Sequence, residues 1–190
     1  MMGWCMLTII LGKTCAGKDQ IVKKLVSNHG YHKLVTYTTR PMRFGEKQDK
    51  TYHFISEQEF QEKISHNFFM EYKSYNTAEG IWYYGSAKED YEKSDSKTVI
   101  ILTPEGYRDF LKKLPHTKHV SIYIYANNRT IKNRLMKRGD KKEEANRRLL
   151  HDNEDFKGVE QLVNKIFYNN ETNQLTDVVN NIVEYLEEQN

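Results

Sequence analysis

Residues 5 to 30 read CMLTIILGKTCAGKDQIVKKLVSNHG, and this stretch limits the possible folds more than any other. The apolar run from Cys5 to Leu11 suits a buried strand. Ile21, Val22, Leu25 and Val26 then recur at helical spacing and define one face of a helix that ends near Gly30. Between them Gly12 and Gly17 bracket four residues, and Lys18 follows. Such a loop at a helix N-terminus lets backbone N–H groups curl round a phosphate while the lysine reaches the outer phosphates. Gly12, Lys13, Thr14, Cys15, Ala16, Gly17, Lys18 and Asp19 are therefore candidate nucleotide contacts. One position departs from the pattern. Where a Ser or Thr hydroxyl usually meets magnesium, this chain has Asp19.

The rest of the chain repeats the strand-then-helix alternation. Val99 to Leu102 and Val120 to Tyr125 are β-rich runs, followed by helical spacing at Tyr107, Leu111 and Leu114 and then at Ile131 and Leu135. Parallel strands with crossover helices are expected. Two segments interrupt the alternation: residues 36 to about 92, rich in Tyr, Thr and Arg, and the polar stretch Gly139 to Glu144. Ser56 with Glu59 reads as a capping box, and Ser86 with Glu89 as a second one. Leu175, Val178, Val179, Ile182 and Leu186 mark a closing amphipathic helix whose apolar face serves core packing.

A chain of 190 residues, 38% hydrophobic and 29% charged, supports one well-packed domain rather than two large ones or a disordered tail. The formal net charge of +3 gives little support to nucleic-acid binding. Cys5 and Cys15 form no Cys-x-x-Cys pair and have no nearby His at zinc-ligand spacing, so a reducing cytoplasm is the default setting. The apolar start is too short to span a bilayer and lacks the features of a signal peptide, so no membrane association is expected.

A second signal lies at TYTTRPMRFGEKQDKTYHFIS, residues 36 to 56, joined downstream by FMEY and WYYGS. Together with the glycine loop, these segments resemble the nucleotide-binding segments of guanylate kinases, from Thr8 to about Asn170. The resemblance implies an α/β fold with a P-loop parallel sheet flanked by helices, an inserted monophosphate-binding subdomain and a short lid. The boundaries it implies are core 1–35, 93–137 and 150–190, insert 36–92 and lid 138–149. It carries the guanine and phosphate contacts onto Thr36, Arg40, Arg43, Tyr52, Glu71, Tyr84 and Ser86. The chemistry suits them. Two arginines in one turn can fork onto a dianionic phosphate, and tyrosine hydroxyls can complete its shell. A carboxylate at Glu71 accepts from guanine N1–H and the exocyclic amine, whereas adenine has an unprotonated N1. RLMKRG and EEANRRL resemble the family's lid and place Arg134, Arg138 and Arg148 over the transferring phosphoryl group, with Arg147 as a substitute for Arg148.

Two features depart from the family pattern. The strand end VIILTPEG carries Ile101 and Thr103 where acidic residues are usual, and TAEGIW, residues 77 to 82, is inserted after Glu71. The implied activity is transfer of the ATP γ-phosphoryl group to GMP or dGMP with Mg²⁺, with Asp19 a candidate metal contact. The inserted segments suit a closure that excludes water. Two readings compete: a catalytically silent interaction module of the same family, and a related kinase with another small phosphorylated acceptor. The intact Gly-Lys loop argues against the first, and Glu71 with Thr36 against the second.

Overall fold

Every residue of β1 (Leu7–Leu11) is buried, as a strand covered on both faces requires. The computed structural model describes residues 6–77 and 80–189. Cys5, at the start of the expected first strand, and Ala78 and Glu79 of the insertion lie outside the described residues. After β1 come α1 (Lys18–His29), β2 (His32–Lys33), β3 (Tyr37–Thr38), β4 (His53–Phe54), α2 (Glu57–Ser65), β5 (Phe69–Thr77), β6 (Gly80–Ala87) and α3 (Lys88–Glu92). The chain continues through β7 (Thr98–Ile101), α4 (Pro104–Lys113), β8 (His119–Tyr125), α5 (Asn128–Arg138), α6 (Lys142–Asp155), β9 (Lys165–Tyr168) and α7 (Leu175–Gln189).

The described chain divides into two compact units. The first takes in the residues up to Lys33, Asp95–Glu105 and those from Thr117 onward. Its sheet runs β2-β7-β1-β8-β9, and every pairing is parallel. Ile10, Ile122 and Ile124 from the sheet, Ile21 and Leu25 from α1, Ile131 and Leu135 from α5, and Ile182 from α7 are all fully buried in one cluster. Their apolar spacing is the reason each helix packs as it does. The second unit, Leu34–Ser94 with Gly106–His116, holds a mixed sheet ordered β4-β3-β6-β5. Its core is aromatic: Phe60 stacks on Phe69 at 4.3 Å between ring centroids, and Tyr83 lies 5.3 Å from Phe60.

The capping box at Ser56 and Glu59 is present, with both reciprocal hydrogen bonds made. Gly30 closes α1 in the left-handed conformation, as its place after the helix suggests. Three local readings need correction, and one strand is new. Val26 is 42% exposed, so the buried stripe of α1 is Ile21, Val22 and Leu25. Ser86 does not cap a helix. It ends inside β6, the residue before α3 is Ala87, and Glu89 pairs with Lys93 instead. The polar stretch Gly139 to Glu144 is only a brief connection before α6 begins at Lys142. β9 joins the sheet edge beside β8 and was not anticipated.

Candidate active site

The turn from β1 into α1 needs its glycines for steric reasons. A Cβ on Gly17, which has a φ of 102°, would lie 2.2 Å from the Asn169 amide nitrogen; one on Gly12 would lie 2.8 Å from the Ile124 carbonyl oxygen. Arg134 donates to the Cys15 and Ala16 carbonyls, both at 3.1 Å, and to Asn169 at 2.9 Å, while the buried Asn169 donates to Ala16 O at 2.8 Å. With these carbonyls held, the loop keeps its curled form. Lys18 Nζ folds onto the carbonyls of Gly12 and Lys13 at 2.5 and 2.9 Å. Burial lowers the Lys18 pKa, and the charges of Asp19 and Asp152 work against that shift. Cys15 sits at a φ of 54°. Burial pushes its thiol up despite the opposing charges of Arg138, Lys18 and Arg148, so it is a protonated filler and not a reactive thiolate.

Arg138, Arg147 and Arg148, the arginines expected in the lid, form a network with acids. Arg138 makes a fork onto Asp140 with two contacts of 2.7 Å, and Glu144 receives Arg147 and Arg148 together. The two guanidiniums hold the Glu144 carboxyl down to about 2. The charges of Arg138 and Arg148 both act on Cys15 in the loop. Arg147, whose side chain is 55% exposed, faces Glu144 only in the ion pairs made here. Asp19 is exposed in the first turn of α1, and its charge is felt by Lys18 and Arg138.

Asp152 and Asn153 of α6 were not foreseen. The Asp152 carboxylate accepts from the Thr14 backbone N–H at 2.6 Å, and Lys13 Nζ donates to Asn153 at 2.6 Å. A carboxylate therefore already occupies one of the donors that a phosphate-binding loop offers to anions. Burial pushes the Asp152 carboxyl above its ordinary value, although the Thr14 N–H and Lys18 pull it back. At the end of β7, Ile101 packs against the core and supplies no acid.

The second unit gathers the residues expected to read the acceptor. Thr38 donates to Tyr83 O at 2.9 Å, and Thr39 accepts from Tyr83 N at 2.9 Å; these bonds pin the Thr-Thr-Arg segment to β6. Arg40, only 4% exposed, forks onto Glu46 at 2.8 and 3.0 Å and lies 5.5 Å over the Tyr52 ring. Burial opposes its charge, but Glu46 and the Tyr84 hydroxyl outweigh that and hold Arg40 above the ordinary guanidinium value. Glu46 also accepts from the Arg43 backbone N–H at 2.7 Å, while the Arg43 side chain belongs to an exposed turn. Glu46 stood inside the quoted motif, and an acid closing a turn between two arginines was the available signal. Tyr52 and Tyr84 meet edge to face at 6.1 Å. Thr36 lies just before β3, half-buried, with its carbonyl accepting from His53 N.

Glu71 owes its position to a β-bulge. The β5–β6 register shifts between Phe69 and Glu71, so Phe69 faces the aromatic core while Glu71 pairs with Ser86. Lys113 donates to the Met70 carbonyl at that irregularity. Gly85 lets the hairpin close: a Cβ there would meet Phe69 at 2.9 Å and Phe60 at 3.1 Å. Glu71 is 9% exposed and accepts a hydrogen bond from the fully buried Ser86 hydroxyl.

A parallel sheet with a Gly-Lys loop between its central strand and the following helix defines a P-loop nucleotide-binding α/β protein. Comparison with known proteins narrows the class. A family model described as Guanylate kinase matches residues 5–189, and the chain belongs to the guanylate kinase family. It is 34% identical to the guanylate kinase of Clostridium tetani over 74% of this chain and 66% of that protein. Against the guanylate kinase of Fusobacterium nucleatum it is 26% identical over 94% of this chain and 95% of that one. The matched stretch thus spans slightly under two thirds of the Clostridium relative's length. The crystal structure of guanylate kinase from Anaplasma phagocytophilum superposes with a TM-score of 0.71 at 20% identity, covering 98% of this chain and 87% of that one, which shows the shared fold.

Proposed function

We propose that this chain transfers the γ-phosphoryl group of ATP to GMP or dGMP. The observation that carries the reading is the buried Glu71 carboxylate, presented by the β5–β6 hairpin beside Ser86. Its two oxygens match guanine's adjacent N1–H and exocyclic amine, whereas adenine would set an unprotonated nitrogen against a carboxylate. Arg40, Arg43, Tyr52 and Tyr84 supply cationic and hydroxyl donors for the acceptor phosphate, with Thr36 at the edge of that group. Residues Gly12 to Lys18 hold the donor phosphates, Arg134 keeps the loop in shape, and Arg138 and Arg148 neutralise charge on the transferring group. No general base is needed because the acceptor phosphate is already ionised near neutral pH; catalysis is positioning and charge neutralisation.

Mg²⁺ would add neutralisation of the β- and γ-phosphate oxygens. Among the described residues no cluster of three or more His, Cys, Asp or Glu could hold a metal. Mg²⁺ keeps several waters and takes few protein ligands beside substrate phosphates, so one carboxylate at the start of α1 suits it. Asp19 would hold it through a water. The insert 36–92 and the lid 138–149 serve as acceptor-binding and closing segments in this reading. A cytoplasmic setting agrees with the free Cys15 thiol, and no described helix is long and apolar enough to cross a membrane.

Glu71→Gln tests the base assignment. The ratio of kcat/KM for GMP over AMP should fall by about tenfold or more, matching the roughly 1.5–3 kcal/mol of a hydrogen bond to a charged group. An unchanged ratio contradicts it.

A further inference from the structure

The packed face of α6 carries a polar pair. Ala145 and Leu149 pack with the core cluster, and Phe156, at the end of the helix, stacks on Tyr123 with 5.6 Å between ring centroids. Asp152 and Asn153 follow Leu149 by three and four residues, so helical spacing puts them on that same face. Two adjacent side chains of α6 thus meet two adjacent residues of the phosphate loop. Asp152 Oδ2 accepts from Thr14 N at 2.6 Å, and Asn153 Oδ1 accepts from Lys13 Nζ at 2.6 Å. Lys18 Nζ is bonded to the Gly12 and Lys13 carbonyls. Three donors suited to a polyphosphate are therefore engaged within the chain, and one of them is held by an anion.

Stability does not explain an acid at this position. Burial disfavours the Asp152 charge, and an uncharged amide would accept the same hydrogen bond from Thr14. A carboxylate and a phosphate oxygen make the same demand on a backbone N–H, and the Thr14 N–H has one proton to give. Two anions brought to one donor also repel each other. We propose that Asp152 is an internal competitor of the donor polyphosphate: its carboxylate holds the Thr14 N–H until a phosphate oxygen displaces it, and this exchange sets how tightly the loop binds ATP. Displacement of Asp152 acts on the helix that also carries Arg148, so donor binding and the position of that arginine are linked through one element. The inference rests on the reading of Gly12 to Lys18 as the donor-phosphate site and assigns a residue that tunes its affinity.

Calorimetric titration of the full chain with ATP and with inorganic tripolyphosphate tests it, in EDTA so that no divalent cation takes part and without an acceptor. Asp152→Asn keeps an acceptor for Thr14 but removes the charge. Its Kd for both ligands should be lower than that of wild type by about three- to tenfold, while Kd for GMP does not move. Asp152→Ala, which removes the acceptor as well, should tighten binding at least as much. A residue that merely props the loop in shape would act in the opposite direction, since its loss weakens binding. Folded variants whose Kd for ATP equals or exceeds the wild-type value overturn the proposal and leave the kinase reading intact. A crystal structure of the wild type with a non-hydrolysable ATP analogue supplies a test that does not depend on how the variants fold. Thr14 N should there donate to a phosphate oxygen, with Asp152 beyond hydrogen-bond distance; persistence of the Asp152–Thr14 bond overturns the proposal. Failure of wild type and both variants alike to bind ATP overturns the donor-site reading together with it.

Discussion

Asp19 stands where a hydroxyl is usual, and its neighbours give it two possible occupations. Its charge reaches Lys18 and Arg138, so it can act as a partner for a lid arginine, and an acid in the first turn of α1 also favours the helix dipole by about 0.3–1 kcal/mol. In a working site, however, a carboxylate near the outer phosphates requires a cation between them, and the β7 end supplies no alternative acid at Ile101. Asp19→Ala should therefore raise the Mg²⁺ concentration for half-maximal rate by about threefold or more, as loss of a contact worth roughly 0.5–1.5 kcal/mol would, while KM for GMP stays put. A magnesium titration whose midpoint does not move, in a folded and active variant, returns Asp19 to the role of charge partner. Some residues were legible from sequence because their chemistry is local: Gly17 and Lys18 by spacing, Glu71 by its motif. Ser86 carried two readings, a helix cap by spacing and a guanine contact by resemblance; the cap falls because its hydroxyl donates across the strands to Glu71.

At the scale of elements, α6 does more than carry Arg147 and Arg148. Asp152 and Asn153 tie it to Thr14 and Lys13 in the phosphate loop, across 138 and 140 residues of sequence. No local pattern encodes such a pairing, which is why it was missed; α1, α5 and α7 were legible because their apolar stripes are local and strong. The Asp152 carboxyl faces the Thr14 N–H, Lys18, Asp155 and His151, and burial raises its pKa above 3.8 in the folded state. Between the unfolded and folded values the folded chain holds more protons than the unfolded one, so stability falls as pH rises through that window. Asp152→Asn, which keeps an acceptor for Thr14 without the charge, should be more stable than wild type near neutral pH. The difference should vanish as pH drops below the ordinary carboxyl value near 3.8. Urea unfolding of both proteins across pH checks this; a variant less stable than wild type at neutral pH contradicts it.

Over the whole molecule, the alternation of apolar strands and amphipathic helices foretold the parallel sheet, because strands buried on both faces read as continuous apolar runs. β9 escaped notice because it is an edge strand with exposed Lys165 and Tyr168 at its ends, a pattern that polar loops share. In the second unit, the hairpin of β5 and β6 owes its register to a bulge and a glycine, neither of which has a firm sequence signature. The family's motifs pointed to the phosphate loop and the Arg40 turn, but Glu46 and Asp152 emerged only from their contacts. The central claim is that Glu71 and the Arg40 cluster select a guanine monophosphate as acceptor for the phosphoryl group held at the Gly-Lys loop. The direct measurement is ADP release by the purified full chain from ATP and Mg²⁺ with GMP, dGMP, AMP, CMP and UMP supplied in turn. Release with a guanine monophosphate far above that with the others is the predicted result; no release above background with GMP or dGMP would contradict the account.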